Sequence, residues 1–410
     1  MAEQAIIVGC QLQTETDQAF QSSIDELKAL GETVEANILN VFTQKRERIH
    51  SAYFVGTGKV EEIKHYIEEL EIDVVLVDGE LTPTQHRNLT NVWGVKIVDR
   101  TQLILDIFAM RARTREGKLQ VELAQLEYLL PRLHGKGIEL SRLGGGIGTR
   151  GPGETKLETD RRHIRNRISD IKHALKQVVK HREQSRENRK RHSVFQISIV
   201  GYTNAGKSTL FNRLTKETSL EENKLFATLD PLIRKIHLPS GFQVLVSDTV
   251  GFIQKLPTTL VAAFRSTLEE VRDADFILHV VDSSHEDAVA HEKTVKQILK
   301  QLDADHIPQL TVYNKRDLLT EQFIPYSSPS ILMSAFNKND IGKLKVKIED
   351  VLKQLWNQYD VSIPADQGDL LNRLKLQTVI EQQQFQEEDN SYYLHGYINP
   401  DNPIYNQLMK

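Results

Sequence analysis

The clearest chemical signal is one octapeptide. Gly201-Tyr202-Thr203-Asn204-Ala205-Gly206-Lys207-Ser208, with Thr209 behind it, follows directly on the apolar run 194–200. G-x-x-x-x-G-K-S between a strand and a helix is a phosphate-binding loop. The glycines let backbone N–H groups wrap a β-phosphate. Lys207 puts a positive charge at the β/γ oxygens, and Ser208 offers a hydroxyl to Mg²⁺. The helix that begins there turns its positive end toward the anion. A chance strand–turn–helix match is the competing reading, and the apolar strand in front argues against it.

Three further motifs follow in order, each after an expected strand. Asp248-Thr249-Val250-Gly251 lies about 40 residues beyond Lys207. There an aspartate can hold Mg²⁺ through water, and the Gly251 N–H can meet a γ-phosphate. Asn314-Lys315-Arg316-Asp317 comes next. A carboxylate at Asp317 accepts two hydrogen bonds from the N1–H and N2–H₂ edge of guanine, an edge adenine lacks, so adenine would leave it desolvated and unpaired. Asn314 braces base and phosphate loop, and the stem of Lys315 covers the base. Ser334-Ala335-Phe336 then supplies a backbone N–H for the guanine O6. Each motif alone is short and common, D-x-x-G especially. The four in order point to a guanine nucleotide, and the ordered set resembles the translation-factor-type small GTPases.

The residues expected at the γ-phosphate are Lys207, Gly251 and Thr228. Thr228 would ride a mobile loop to Mg²⁺ and leave it after hydrolysis; Thr218 is its rival. The position after D-x-x-G, where many such enzymes carry a water-orienting glutamine, is Phe252. A phenyl ring cannot orient water and Gln254 is a distant substitute, so unassisted turnover should be slow. Asn204 stands either for a turn-stabilising residue or for a ligand to K⁺, an ion that would offset transition-state charge where an arginine finger is missing.

These motifs need a sheet to hold them, and the pattern supplies more than one. Residues 1–99 alternate strand and helix signals. Strands are expected at 5–8, 34–41, 74–77 and 95–98, and helices at 17–30, 60–70 and 84–92. This is the signature of a parallel sheet covered by helices. Residues 100–192 read as a helical hairpin: one long helix over 100–132, a glycine-rich loop, and a second helix over 154–191. Residues 193–358 return to α/β, with strands at 195–200, 243–247, 276–281, 309–313 and 331–333. Residues 359–410 form a small α+β domain: a linker containing Pro364, a helix over 370–384 and a short hairpin at 391–398. The fold class is multidomain α/β.

Charge divides the same way. The net charge is −4, yet Arg100 to His192 holds 22 Lys/Arg against 11 Asp/Glu. A basic middle in an acidic chain suits a polyanion such as RNA, set against the ordinary reading of a solvated helical face. Four histidines there, His163, His173, His181 and His192, are too far apart to share a metal. Cys10 is the sole cysteine, so no disulfide framework exists within the chain. The N-terminus has no signal-peptide pattern, and no apolar run reaches the ~18 residues of a membrane helix. A soluble cytoplasmic protein is expected.

The chain resembles the HflX family of GTPases over nearly its whole length. The resemblance rests on Leu140-Ser141-Arg142-Leu143-Gly144-Gly145-Gly146-Ile147-Gly148-Thr149-Arg150-Gly151-Pro152-Gly153-Glu154-Thr155-Lys156-Leu157-Glu158-Thr159-Asp160-Arg161-Arg162. It also rests on Phe54-Val55-Gly56-Thr57-Gly58-Lys59 and on Asp248 to Ile253 followed by Leu256-Pro257. It implies an N-terminal α/β domain, a helical linker, the GTPase domain and a small C-terminal domain. It implies binding of GTP/GDP and of the large ribosomal subunit, and dissociation of ribosomes, notably stalled or stressed ones; a monomer off the ribosome is expected. Arg142, Gly144, Gly145, Gly146, Arg150, Arg161, Arg162 and Arg165 are the expected contacts to rRNA. Two other tasks remain open: subunit maturation by the same GTPase, and ATP-driven RNA remodelling through the N-terminal domain. For the latter, Gly56-Thr57-Gly58-Lys59 is weak support, since it lacks the six-residue frame and reads more simply as a helix cap.

Overall fold

The computed structural model describes residues 3–133, 152–191, 194–216, 226, 231–253 and 270–405. The chain divides into two compact units. The first is Met1–Val179 with Lys224–Leu229 and Gln254–Arg265. The second is Lys180–Asn223, Asp230–Ile253 and Ser266–Lys410.

The first unit opens with β1 (Gln4–Leu12), α1 (Asp17–Thr33), β2 (Asn37–Arg46), α2 (Thr57–Leu70), β3 (Val74–Val77), α3 (Pro83–Trp93) and β4 (Lys96–Asp99). The four strands form a sheet in the order β2-β1-β3-β4, every pair parallel. Phe20, Ile24, Leu27 and Leu30 of α1 recur at helical spacing and are buried, as an amphipathic helix over a sheet requires. Thr16 starts α1 by accepting from Ala19 N, and Thr82 with Gln85 closes a capping box on α3. The second strand lies at Asn37–Arg46, later than the expected 34–41. The turn after α1 consumes Val34–Ala36, with Glu35 at φ 65. Arg100 is buried behind β3, its guanidinium paired with Asp78 at 2.7 Å and with Glu26. Removing one partner would strand a buried charge, which is far costlier than replacing the whole set.

The expected single helix over 100–132 is two: α4 (Arg100–Arg111) and α5 (Arg115–Leu129). Ala112 leaves helical geometry at ψ 114, and Thr114 caps the next helix by accepting from Gly117 N at 2.9 Å. A threonine that can cap a new start competes with helix continuation. α6 (Pro152–Arg191) is the long basic helix. Ile171 on α6 is buried, Arg167 forks onto Glu122 of α5 at 2.7 and 2.9 Å, and Lys172 meets Glu127 at 2.8 Å.

The second unit carries β5 (Phe195–Gly201), α7 (Lys207–Thr215), β6 (Leu232–His237), β7 (Gln243–Asp248), β8 (Phe276–Asp282), α8 (Ala288–Gln301), β9 (Gln309–Asn314), β10 (Ser330–Leu332) and α9 (Lys338–Leu355). Its sheet runs β10-β9-β8-β5-β7-β6. All pairs are parallel except β6 on β7. β6 is absent from the sequence reading: Leu232–His237 is an edge strand with four exposed residues of six, so it lacks a strong apolar signal. Ile197, Ile199, Val244, Val246, Leu278, Val280, Leu310 and Val312 fill the core beneath one face of this sheet.

The C-terminal residues form β11 (Asn357–Pro364), α10 (Gly368–Gln377), β12 (Val379–Gln386) and β13 (Ser391–Ile398), an antiparallel sheet in the order β11-β13-β12. Three expectations change here. The Pro364 linker is a strand, with proline at the end of an edge where no ladder donor is lost. The helix ends at Gln377, because β-branched Thr378, Val379 and Ile380 turn into the sheet and Val379 is buried in the core. Residues 391–398 are the central strand, not a hairpin. No described helix is long and apolar enough to cross a membrane.

Candidate nucleotide site

β5 ends at Gly201, whose φ is +156; a Cβ there would stand 2.2 Å from the Val280 carbonyl oxygen. Only glycine fits so close to the neighbouring strand. Asn204 then takes φ 59 and Gly206 φ 90, left-handed turns that bring the chain round to the first turn of α7. Lys207, the first residue of that helix, is buried, and its Nζ donates to the Tyr202 carbonyl at 2.8 Å. Burial pulls its pKa down to about 8, against the opposing pull of the Asp248 carboxylate. The ammonium is therefore desolvated in advance, with an electrostatic appetite for an anion. Ser208 and Thr209 are half-buried behind it.

Asp248 ends β7, is buried, and is paired in register with Ile199, two residues before Gly201. Thr249 donates to the Ile199 carbonyl at 2.6 Å and so fixes the start of the D-x-x-G segment. A Cβ on Gly251 would meet the Thr203 methyl at 2.8 Å and Lys207 Nζ at 3.0 Å, so glycine keeps the space over the ammonium open. Val250 is buried beside it. Phe252 is buried, and its backbone is occupied on both sides: its N–H donates to the Gly201 carbonyl at 3.1 Å, and its carbonyl accepts from Thr203 N at 2.7 Å.

The other end of the cleft is built at the end of β9. Nδ2 of Asn314 donates to the Ala205 carbonyl at 3.0 Å, and Oδ1 accepts from Ala335 N at 2.9 Å. One side chain thus ties the phosphate loop to the Ser334-Ala335-Phe336 loop. Lys315 holds a left-handed φ of 65 and pairs with Asp282 at 2.7 Å. Asp317 follows in a short 3₁₀ turn (Arg316–Leu318), with its residue exposed. Ser334 N donates to Asp340 at 3.0 Å, and Arg316 pairs with the same carboxylate oxygen at 3.0 Å. Phe336 N donates to Ser334 Oγ at 3.3 Å, and the Phe336 ring is 62% exposed with the Arg213 guanidinium 5.7 Å from its centroid. Ala335 N is engaged by Asn314 at 2.9 Å, and the Phe336 amide is held by the longer contact of that loop.

The structure gathers Gly201 to Thr209, Asp248 to Gly251, Asn314, Lys315, Asp317 and Ser334 to Phe336 on one edge of one sheet, beyond the C-terminal ends of β5, β7 and β9, where open α/β sheets take their ligands. Thr228, Arg142, Gly144, Gly145, Gly146 and Arg150 lie outside the described residues. Arg161, Arg162 and Arg165 lie on α6; Arg162 and Arg165 are exposed, and Arg165 faces Glu158 at 3.8 Å. Sequence reasoning missed Asp282, which holds Lys315; Ser283, which donates to the Asn314 carbonyl at 2.6 Å; and Asp340. The end of β8, where Asp282 falls, was the one available signal.

A phosphate loop and an N-K-x-D loop tied together by one asparagine on a six-stranded, mostly parallel sheet define a P-loop GTPase. Known proteins agree along the chain. Three family descriptions match: "GTP-binding GTPase N-terminal" over residues 21–109, "GTP-binding GTPase Middle Region" over 111–189 and "50S ribosome-binding GTPase" over 196–315. The GTPase HflX of Alkalihalophilus pseudofirmus is 56% identical over 99% of this chain and 96% of its own. That of Escherichia coli is 43% identical over 96% and 92%. A solved GTP-binding protein of Sulfolobus solfataricus in complex with GDP aligns over 86% of this chain and 99% of its own at 23% identity and TM-score 0.44. The chain belongs to the HflX family of GTPases.

Proposed function

We propose that this GTPase binds GTP between Lys207 and Asp317, docks on the large ribosomal subunit, and uses the nucleotide cycle to separate ribosomal subunits. The observation that carries the nucleotide half is the Asn314 bridge from Ala205 to Ala335. It ties the phosphate loop directly to the loop that would meet the base. Backbone N–H groups from Asn204 to Ser208 would cradle the β-phosphate, with Lys207 on the β/γ oxygens. Asp317 would read the guanine edge under the stem of Lys315, and the Phe336 amide would meet O6.

The donor set fits Mg²⁺. A serine hydroxyl in the first turn of α7 and a buried carboxylate at the end of β7 offer hard oxygen ligands beside the phosphate loop. Ser208 would bind the ion directly, Asp248 through water, and Thr228, outside the described residues, would complete the set. When bound, the ion neutralises charge on the phosphates. K⁺ at Asn204 is a second element of the reading, supported by that residue's exposure at the loop. Its left-handed φ suits a plain turn residue equally well.

Phe252 contributes no polar group to the attacking water, and its backbone is already spent on Gly201 and Thr203. Catalysis here is positioning and charge stabilisation, so the missing orienting group must come from a partner. The family description of a 50S ribosome-binding GTPase over 196–315 and the excess of basic residues from Arg100 to His192 support the large subunit as that partner. Arg161, Arg162 and Arg165 are the described candidates for rRNA contact.

The test is cosedimentation with isolated large subunits, a nonhydrolysable GTP analogue against GDP, followed by sucrose-gradient profiles of whole ribosomes. Binding that favours the analogue, with conversion of whole ribosomes to subunits, is expected. Binding to precursor particles alone would replace splitting with a role in maturation. Asp317→Asn must weaken GTP binding by about 10² or more; retention of a ribosome-linked activity driven by ATP in that variant would favour remodelling through the N-terminal domain.

A further inference from the structure

Tyr202, the second residue of the phosphate loop, is held from three directions. Its carbonyl accepts the Lys207 ammonium at 2.8 Å. The residues on either side of it, Gly201 and Thr203, pair with Phe252 of the D-x-x-G segment. Its ring lies face to face on the imidazole of His291, with centroids 3.8 Å apart and planes 7° from parallel.

His291 is a rigid anchor. It belongs to α8, whose inner residues His291, Val295 and Leu299 are buried. His285 packs on it, ring centroids 4.5 Å apart, and is itself oriented by accepting from Asp287 N at 3.0 Å. Burial, with His285 alongside, holds the His291 pKa down at about 4, so the stacked ring is neutral at physiological pH and adds no like charge near Lys207.

We propose that His291 is a positioning residue for GTP hydrolysis, acting through the Tyr202 ring to fix the carbonyl that seats the Lys207 ammonium. The proposal rests on the reading of this cleft as the GTP site. Stacked aromatic pairs contribute beyond their area, and a catalytic charge displaced by ~1 Å can cost ~10²-fold in rate. Nucleotide affinity is spread over many backbone amides, so the loss falls on the chemical step.

The variants are His291→Ala, which removes the stack, and His291→Phe, which restores a flat ring. Single-turnover hydrolysis of bound GTP, the GDP dissociation constant and the melting temperature are measured on the full chain with Mg²⁺. His291→Ala should slow hydrolysis roughly three- to tenfold, with GDP affinity changed less than about twofold. His291→Phe should come within about twofold of the unsubstituted protein. Equal hydrolysis rates for His291→Ala and the unsubstituted chain would overturn the proposal, as would a Phe variant as slow as the Ala variant. If His291→Ala does not fold, His291→Leu fills the volume without a flat ring and must show the same selective slowing; a proportional loss of GDP affinity would count against the idea. An unsubstituted chain that bound no guanine nucleotide would instead defeat the site reading itself.

Discussion

A Cβ on Gly206 would stand 2.3 Å from Nδ2 of Asn314. The closeness explains both residues together. Gly206 takes φ 90 to start α7, and the room left by its missing side chain is where the asparagine amide reaches Ala205.

Gly206→Ala therefore fails twice. Alanine resists the left-handed backbone, and its methyl drives Asn314 off both partners, leaving the buried Ala335 N and Ala205 O unpaired. GTP and GDP affinity should both fall by at least about 10²-fold. Asn314→Ala keeps the backbone but loses the tie, and should fall by a smaller factor. Titration with a fluorescent GDP reads both. An alanine at 206 that bound GDP normally would show that the tie between the two loops is dispensable.

The site was far more legible than the domains around it, for a physical reason. Gly201, Lys207, Asp248, Asn314 and Asp317 each sit at or just after a strand end, so an apolar run points at every one of them. Asp340 and His291 carry no such flag, and Asp282, though it ends β8, belongs to none of the four motifs. Their meaning comes from Lys315, Ser334 and Tyr202, which are near them only after folding. The fold shows the same split. Val74–Val77, buried on both sides, was readable as a strand without neighbours. Glu381-Gln382-Gln383-Gln384 is helix-prone by type, yet pairing with β13 makes it a strand. Thr114 fits the interior of a single helix by sequence, because a cap and a mid-helix threonine look alike until the backbone turns.

His279 on β8 makes a pH prediction. It is buried, and neither ring nitrogen has a hydrogen-bond partner among the described residues. Burial lowers its pKa to about 4 despite the nearby Glu292 carboxylate, with Lys296 and Lys207 pushing the same way as burial. The sign follows from linkage. Below pH 6.5 the unfolded chain takes up a proton that the folded chain refuses, so stability falls as pH drops from 6.5 toward 4 and this contribution levels off below that. The full span is on the order of 3 kcal/mol. His279→Leu removes the two unpaired nitrogens and this part of the slope. It should raise stability at pH 5 more than at pH 7.5, measured by urea unfolding at each pH. His291 has the same sign and remains in both proteins, so the difference between them isolates His279. Parallel pH profiles would place the acid sensitivity elsewhere.

Phe252 invites the substitution that its position suggests: glutamine, the water-orienting residue of many related enzymes. The structure argues that it will not help. The Phe252 side chain is buried, and its N–H and carbonyl hold Gly201 and Thr203 in place. A glutamine there must bury an amide with no partner, at about 1–3 kcal/mol, or swing out and break the Tyr202–Phe252 bridge. The first loses stability; the second disturbs the loop that seats Lys207. Phe252→Gln should thus leave intrinsic GTP turnover unchanged or lower it, with a melting temperature reduced by several degrees. A rise in ribosome-free turnover of tenfold or more would mean that residue 252 reaches the attacking water after all, and that the partner supplies something other than the missing polar group.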